Sequence, residues 1–318
     1  MVASDAQSPA AFPQAEISNG LVTVKLLLPD AQKGYYRGAR FDWSGVIASL
    51  RTAKHEYFGQ WFERYDPKNH DCIMGPVEEF LTGENALSYA EAKPGENFVR
   101  IGVGTLRRGA LDQKFNRFGY YELIDPGEWK VRKEADSIEF THTLKGPNGY
   151  AYRYTKTIRL KPGATVMTIE HTLENTGAKR IATSQYNHNF FMFDAKPTGP
   201  GASVHFPFEL KATAPFEGDA ATVHGGDIRY ARELATGQTF MGLFSGSSKA
   251  SDYDIRVEHA AAGAGVRITG SLPISRIVYW SIRTTLCPEA YVDLDIEPGA
   301  TAHWTYTYEF LDLPSGKE

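Results

Sequence analysis

The sequence predicts an all-β protein, a large antiparallel β-sandwich, and three observations carry that expectation. Short runs of apolar and polar residues recur between turn-forming clusters along most of the 318 residues, the spacing expected of stacked sheets. Alternation with a period of two is explicit in several runs. No alternation of strand and helix patterns builds toward a parallel sheet.

The elements follow in chain order. Residues 1–19 read as a flexible N-terminal segment, opening Met1-Val2-Ala3-Ser4-Asp5-Ala6-Gln7-Ser8-Pro9. The segment lacks the apolar stretch and basic start of a signal peptide. It looks like the loose stretch left once a signal is removed, which points to a periplasmic or secreted protein. A cytoplasmic chain with a ragged N terminus would look the same. Residues 20–318 read as a single domain. Leu21–Leu28 is a Val/Leu/Thr run between Asn19-Gly20 and Pro29-Asp30, both turn formers. Helix signals are thin: Val46–Ala53 lacks a sustained 3.6-residue period, and Pro76–Ala92 has room for one or two short turns. Residues 30–125 are rich in Gly, aromatics and charges, the composition of long loops over one open face.

Regular strands dominate after residue 125. Tyr152, Tyr154, Lys156 and Ile158 alternate with Arg153, Thr155, Thr157 and Arg159. After the turn Lys161-Pro162-Gly163, the run Thr165–Glu174 places Met167, Ile169, His171 and Leu173 on one face. His171 there reads as a hydrogen-bonded core residue rather than a ligand. Similar runs span Ala202–Phe208, Thr239–Phe244, Tyr253–Glu258, Gly265–Thr269, Ile277–Arg283, Tyr291–Ile296 and Thr301–Phe310.

Composition narrows the function classes. The formal net charge is −4, with 34 Lys and Arg against 38 Asp and Glu. The cations are dispersed, which argues against a nucleic-acid binder. No run approaches the roughly 18 apolar residues of a membrane-spanning helix. Two cysteines, Cys72 and Cys287, make neither a disulfide framework nor a zinc site, and they are expected to stay unpaired. There is no P-loop, no His-Glu-x-x-His and no Gly-x-Ser-x-Gly. Gly102-Val103-Gly104 is not completed to a dinucleotide fingerprint and lies in a strand-like run. No cofactor or metal is therefore expected.

What remains is a set of polar residues among aromatics. Arg37-Gly38-Ala39-Arg40-Phe41-Asp42-Trp43 fits a sugar subsite, with Trp43 stacking on a pyranose and Arg40 and Asp42 bonding hydroxyls; an Asp–Arg salt bridge on a strand edge fits equally. Glu78-Glu79, Tyr89 and Lys93 follow, the Glu pair also reading as a solvated face. Arg117-Phe118-Gly119-Tyr120-Tyr121 repeats the arginine–aromatic theme. In Gln185-Tyr186-Asn187-His188-Asn189-Phe190, a strand puts Tyr186, His188 and Phe190 on one face, with Asn187 and Asn189 on the other. His188 is then suited to hydrogen-bond a ligand oxygen. In Trp280–Tyr291, Cys287-Pro288 is expected to break the strand and leave Glu289 at a bend near Trp280. There it is an acid/base candidate or a surface glutamate.

These segments resemble a known family. Asn187-His188-Asn189-Phe190-Phe191 is similar to the Asn-His-x-Tyr-Phe motif of the aldose 1-epimerase (galactose mutarotase-like) superfamily. Ile296-Glu297-Pro298-Gly299-Ala300 followed by His303-Trp304-Thr305-Tyr306 resembles its closing strand pair, and Gly38-Ala39-Arg40 … Ile47-Ala48-Ser49-Leu50 its opening strand. The anchors bracket about residues 20–311 in the family's order. The resemblance implies the mutarotase-like supersandwich, with His188 as the acid at the ring oxygen and Glu289 as the base at the anomeric hydroxyl. It also implies a small-molecule sugar or glycoside as the partner. The context of Glu289 departs from the family pattern, and the family's second histidine, in a His-Gly-Gly context ahead of the strand histidine, has no counterpart there, since His224-Gly225-Gly226 comes after His188. The chain thus looks like a divergent branch. Three functions stay open: anomer exchange by His188 and Glu289; elimination on an acidic or oxidised glycoside, with Tyr186, His188 or Tyr89 as base and Arg40 or Arg117 holding the carboxylate; and carbohydrate binding without catalysis. The oligomeric state is left open.

Overall fold

A computed structural model describes residues 11–314. It is nearly all β; helix among the described residues is confined to Ala11 and three single-turn 3₁₀ segments, Pro147–Gly149, Phe193–Ala195 and Ala250–Asp252. Two large antiparallel sheets carry the architecture. One has ten strands, in the order Ala221–His224, Asp227–Tyr230, Ala202–His205, Asp254–His259, Ala264–Gly270, Thr301–Asp312, Val166–Asn175, Ala151–Leu160, Ser137–Lys145 and Glu128–Lys133. The other has six: Lys211–Ala212, Thr239–Ser245, Arg276–Ile282, Thr285–Ile296, Ile181–His188 and Val77–Leu81. Smaller sheets of four and three strands are built from residues 14–58 and 97–125.

The period of two decides which side chains meet between the sheets. In Ala151–Leu160 the even-numbered Tyr152, Tyr154, Ile158 and Leu160 are fully buried, and Lys156 is sealed in with them. Ile181, Leu286, Val292 and Leu294 of the six-stranded sheet join the same apolar cluster. Polar ties cross the interface. Gln185 Oε1 accepts from the Trp304 indole at 3.1 Å and the Tyr306 hydroxyl at 2.5 Å, and Asn187 Nδ2 donates to the Tyr308 hydroxyl at 2.8 Å. Each buried amide is thereby satisfied, which avoids the penalty of about 1–3 kcal/mol for an unpaired group.

The outer face of the six-stranded sheet is roofed by loops from residues 30–125, as their composition leads one to expect. A second apolar cluster lies under this roof. It contains Tyr35, Tyr36, Phe41, Trp43, Trp61, Ile73, Met74 and Phe98 with Phe190 and Cys287. Both cysteines are free and buried.

Four expectations need correction. Gln14–Ser18 is not part of a loose segment but a strand paired along its length with Thr23–Leu27; its partly buried Ala15 packs on the main core. Residues 1–10 of the proposed segment lie outside the described residues. Val77–Leu81, inside the stretch read as turns, is a strand buried at every residue, and burial on both faces erases the alternation that marks a strand. Residues 101–103 form the turn between Asn97–Arg100 and Gly104–Arg107, with Gly102 at φ +77°. A Cβ at Gly102 would lie 2.5 Å from the Asp42 carboxylate, so glycine serves both the turn and the close approach. Finally, Cys287-Pro288 does not break its strand: Thr285–Ile296 runs through it.

Candidate functional site

The site forms where Ile181–His188 and Thr285–Ile296 run side by side. Their register pairs Ile181 with Ile296 and Gln185 with Val292, and the Phe191–Leu286 bridge keeps it further on. Carried along, that register sets Tyr186 opposite Tyr291 and His188 opposite Glu289. The side chains agree: the Tyr186 and Tyr291 rings stack at 4.2 Å, and His188 Nε2 lies 3.2 Å from Glu289 Oε1. Pro288, which has no N–H to give the ladder, stands opposite Asn189, one step beyond the His188–Glu289 pair. Its carbonyl instead accepts from Asn189 Nδ2 at 2.6 Å. The proline therefore opens the ladder beside the two functional side chains without ending the strand.

The pair lies in a cavity of about 300 Å³ lined by Arg40, His70, Asp71, Arg117, Phe118, His188, Met241, Leu243, Val278, Trp280, Glu289 and Tyr291. That volume is at the lower end of the range for small-molecule sites. A larger groove of about 530 Å³ runs past Thr82, Ser184 and Asp293, but it brings together no comparable set of acid, base and aromatic groups. His188 is clamped by aromatics: Phe190 stacks on it at 3.8 Å, and Phe41 and Trp280 meet it edge-on at 5.7 and 5.6 Å.

Behind the pair stands a cluster of arginines around one carboxylate. Glu79 is fully buried and accepts from Arg40 Nε at 3.0 Å, Arg100 Nη2 at 2.6 Å and Arg117 Nη2. The Tyr186 hydroxyl donates to Glu79 at 2.5 Å and accepts from Arg117 at 2.6 Å and Arg40 at 3.2 Å. Arg40 also reaches Asp71 at 2.6 Å. Burial alone would raise the Glu79 carboxyl, but Arg117, Arg40 and Arg100 outweigh it and hold Glu79 well below the usual carboxylate range.

The catalytic candidates respond differently. Burial pushes Glu289 up to about 8 against the pull of Arg40 and Arg117, with Glu79 and Asp71 adding to the rise. Burial lowers the basicity of His188 far below its ordinary value, and Arg40 and Arg117 lower it further. Near neutral pH the pair therefore holds one proton, on the carboxyl, beside a neutral imidazole. Two adjacent groups moved in opposite directions within a cleft are the pattern of an acid/base assignment.

The twelve residues singled out by sequence divide clearly. Arg40, Arg117, His188, Trp280 and Glu289 line the cavity, and Glu79 and Tyr186 sit directly behind its wall. Five lie elsewhere. Asp42 is buried beneath the sheet, where its carboxylate accepts from the Ser44 N–H at 2.9 Å and the Tyr154 hydroxyl at 3.2 Å; it pairs with no arginine among the described residues, so the Asp–Arg salt bridge does not form, and of this segment only Arg40 reaches the cavity. Trp43 is a core residue whose indole donates to the Gly38 carbonyl at 2.9 Å. Tyr89 lines a separate groove with Arg107 and Arg108 and donates to the Gln113 carbonyl at 3.0 Å. Lys93 is exposed at a loop tip. Asn187 points the other way, as strand alternation requires. Glu289 is neither at a bend nor on the surface. Sequence reading missed His70, Asp71, Met241, Leu243, Val278 and Tyr291. Tyr291 was within reach, two residues from Glu289 on the same strand face; His70 and Asp71 arrive on an irregular loop that no periodicity marks.

No protein-family model and no curated protein sequence matches the chain. Its shape does match solved structures. A protein of Synechocystis sp. PCC 6803 superposes with a TM-score of 0.59 at 14% identity, covering 98% of this chain and 100% of that one. A galactose mutarotase-like protein from Lactobacillus casei ATCC 334 gives 0.55 at 13%, covering 94% and 100%. An aldose epimerase homologue from C. elegans gives 0.53 at 13%, covering 95% and 99%. At such identities the likeness speaks for the fold, and the fold of this chain is the galactose mutarotase-like supersandwich.

Proposed function

We propose that this protein is a carbohydrate-active enzyme of the aldose 1-epimerase type, exchanging the anomers of a cyclic sugar with His188 and Glu289. The observation that carries the reading is the 3.2 Å contact between the two side chains on the floor of an aromatic-lined cavity. Ring opening needs a proton taken from the anomeric hydroxyl and another given to the ring oxygen. The resting pair supplies both: a neutral imidazole to accept and a carboxylic acid to donate. This is the reverse of the assignment that the family resemblance implies. After rotation about the C1–C2 bond, reclosure returns each proton by the opposite path, and the pair ends as it began. Trp280 and Phe118 provide apolar faces for the sugar ring, and the names of the structural neighbours from L. casei and C. elegans agree with a sugar ligand.

The eliminase reading keeps one supporting observation, a neutral histidine beside guanidinium groups able to hold a carboxylate. Its other proposed bases are ill placed, since the Tyr186 hydroxyl is bound up with Glu79 and Tyr89 belongs to another groove. Polarimetry or NMR exchange on freshly dissolved single anomers tests the epimerase reading; no acceleration over buffer for any aldose would reject it. An unsaturated product absorbing in the ultraviolet would establish elimination, and binding without turnover would leave a carbohydrate-binding protein.

A further inference from the structure

The wall of the cavity carries more positive charge than it neutralises. Arg40, Arg100 and Arg117 face Glu79 and Asp71, three guanidinium groups against two carboxylates. The only other carboxyl lining the cavity, among the described residues, is Glu289, which keeps its proton near neutrality. Asp71 is moreover shared, since His70 Nδ1 lies 2.8 Å from the same oxygen that takes Arg40.

The surplus is localised on Arg117. Arg40 spends its Nε on Glu79, one terminal nitrogen on Asp71 and the other on Tyr186. Arg100 is turned inward, donating to the carbonyls of Ala39, Phe80 and Arg40 as well as to Glu79. Arg117 makes both of its hydrogen bonds through Nη2, and its Nε is buried with no partner. Nε and Nη1 are therefore unused donors on a side chain that lines the cavity and is 23% exposed. The Phe118 and Tyr186 rings lie 5.6 and 5.7 Å from the Arg117 guanidinium; this offsets part of the charge but satisfies none of the free N–H groups.

A neutral ligand filling this cavity would strip water from Arg117 Nη1 and leave the cluster's surplus charge without a counter-ion, a costly arrangement. An anionic group would remove the imbalance and accept from Nη1 in a charge-assisted bond. Resting on the sugar reading above, we infer that the substrate is an acidic sugar whose carboxylate or phosphate is held by Arg117 at the cavity wall, while His188 and Glu289 face its anomeric centre.

Titration calorimetry on the full chain with three probes tests this: an uncharged hexose, the corresponding hexuronate, and the hexose 6-phosphate. The inference expects one or both anions to bind roughly 10- to 100-fold more tightly than the hexose, the range of one hydrogen bond to a charged group, with affinity falling as salt rises. Which anion wins separates carboxylate from phosphate. Arg117→Gln should remove most of the preference, read as the ratio of anion to hexose affinity within the variant. Arg117→Lys, which keeps the charge but loses the fork, should retain part of it. If Arg117→Gln fails to fold, the ratio of anion to hexose affinity in the wild type still decides. Equal affinity for hexose and anions would overturn this inference and leave the sugar reading standing. Binding of none of the three would end both.

Discussion

Glu78 and Glu79 are neighbours on one buried strand, and alternation sends them to opposite sides of the sheet. Glu78 points between the two large sheets. There its carboxylate meets Lys156 Nζ at 2.5 Å and His171 Nε2 at 3.2 Å, and Lys156 also donates to the Ser44 carbonyl at 2.8 Å. All three side chains are sealed from solvent, and nearby Asp42 is raised to about 6, by burial first and by Glu78 as well, against Lys156. Glu79 points outward and gathers three arginines, of which one keeps donors free at a cavity. The two clusters have similar ingredients and differ in closure. The first borders no cavity among the described residues; the second leaves a charge and an acid/base pair facing open volume. A buried ionic cluster thus becomes a candidate site only where it opens onto space that a ligand can fill.

The largest effect that distinguishes the two sides concerns turnover. His188→Ala and Glu289→Gln should each lower anomer exchange by about 10²–10⁴-fold while the far-ultraviolet circular dichroism of the fold persists. Unchanged activity in either variant would put the chemistry elsewhere.

Next comes stability. Glu78→Gln and Glu79→Gln should each cost about 3–5 kcal/mol in urea unfolding, because each strands buried cations without their carboxylate. The pair sharpens the comparison through a second readout. The charge of Glu79 helps to raise Glu289, so Glu79→Gln should move the Glu289 titration to lower pH, whereas Glu78→Gln should leave it in place. Carbon NMR of labelled glutamate reads both, and equal shifts would erase the distinction between the two sides.

A smaller effect is the pH dependence of stability. Glu289, near 8 when folded against an ordinary 4.5, binds its proton more tightly in the native state. Its contribution is therefore complete below pH 4.5 and is lost as pH rises toward 8. His142, lowered by burial from 6.5 to about 4, acts in the opposite sense: its contribution is complete above 6.5 and is lost as pH falls toward 4. Glu289→Gln should remove the decline on the alkaline side and leave the acid limb intact. Urea midpoints between pH 4 and 8.5 check this, and an unchanged alkaline limb in the variant would contradict it. The smallest effect belongs to Lys93→Ala, which should stay within about 0.5 kcal/mol and leave sugar binding unaltered; a clear loss of binding would mean that the exposed loop reaches the ligand.

Several features were readable before any coordinates. Strands with one face toward the core declare themselves by alternation, so Ala151–Leu160 and Val166–Asn175 were found within a residue or two. The opposite orientations of His188 and Asn187 follow from the same geometry. Val77–Leu81 was missed because burial on both faces removes the pattern. Proline at 288 misled because its missing N–H removes only one ladder bond, while its carbonyl keeps a donor in the Asn189 side-chain amide and the strand runs on.

Local sequence thus established the fold class and the faces of the regular strands, because those properties depend on spacing of two residues and on turn chemistry close by in the chain. The pairing of His188 with Glu289 came instead from the resemblance of their segments to a known family. Which strands became neighbours was decided only by the folded chain. So was the union of Arg40, Glu79, Arg100 and Arg117 around one carboxylate, and the protonation of Glu289 and His188. Those depend on burial and on charges contributed by segments far apart in sequence, which no local pattern encodes.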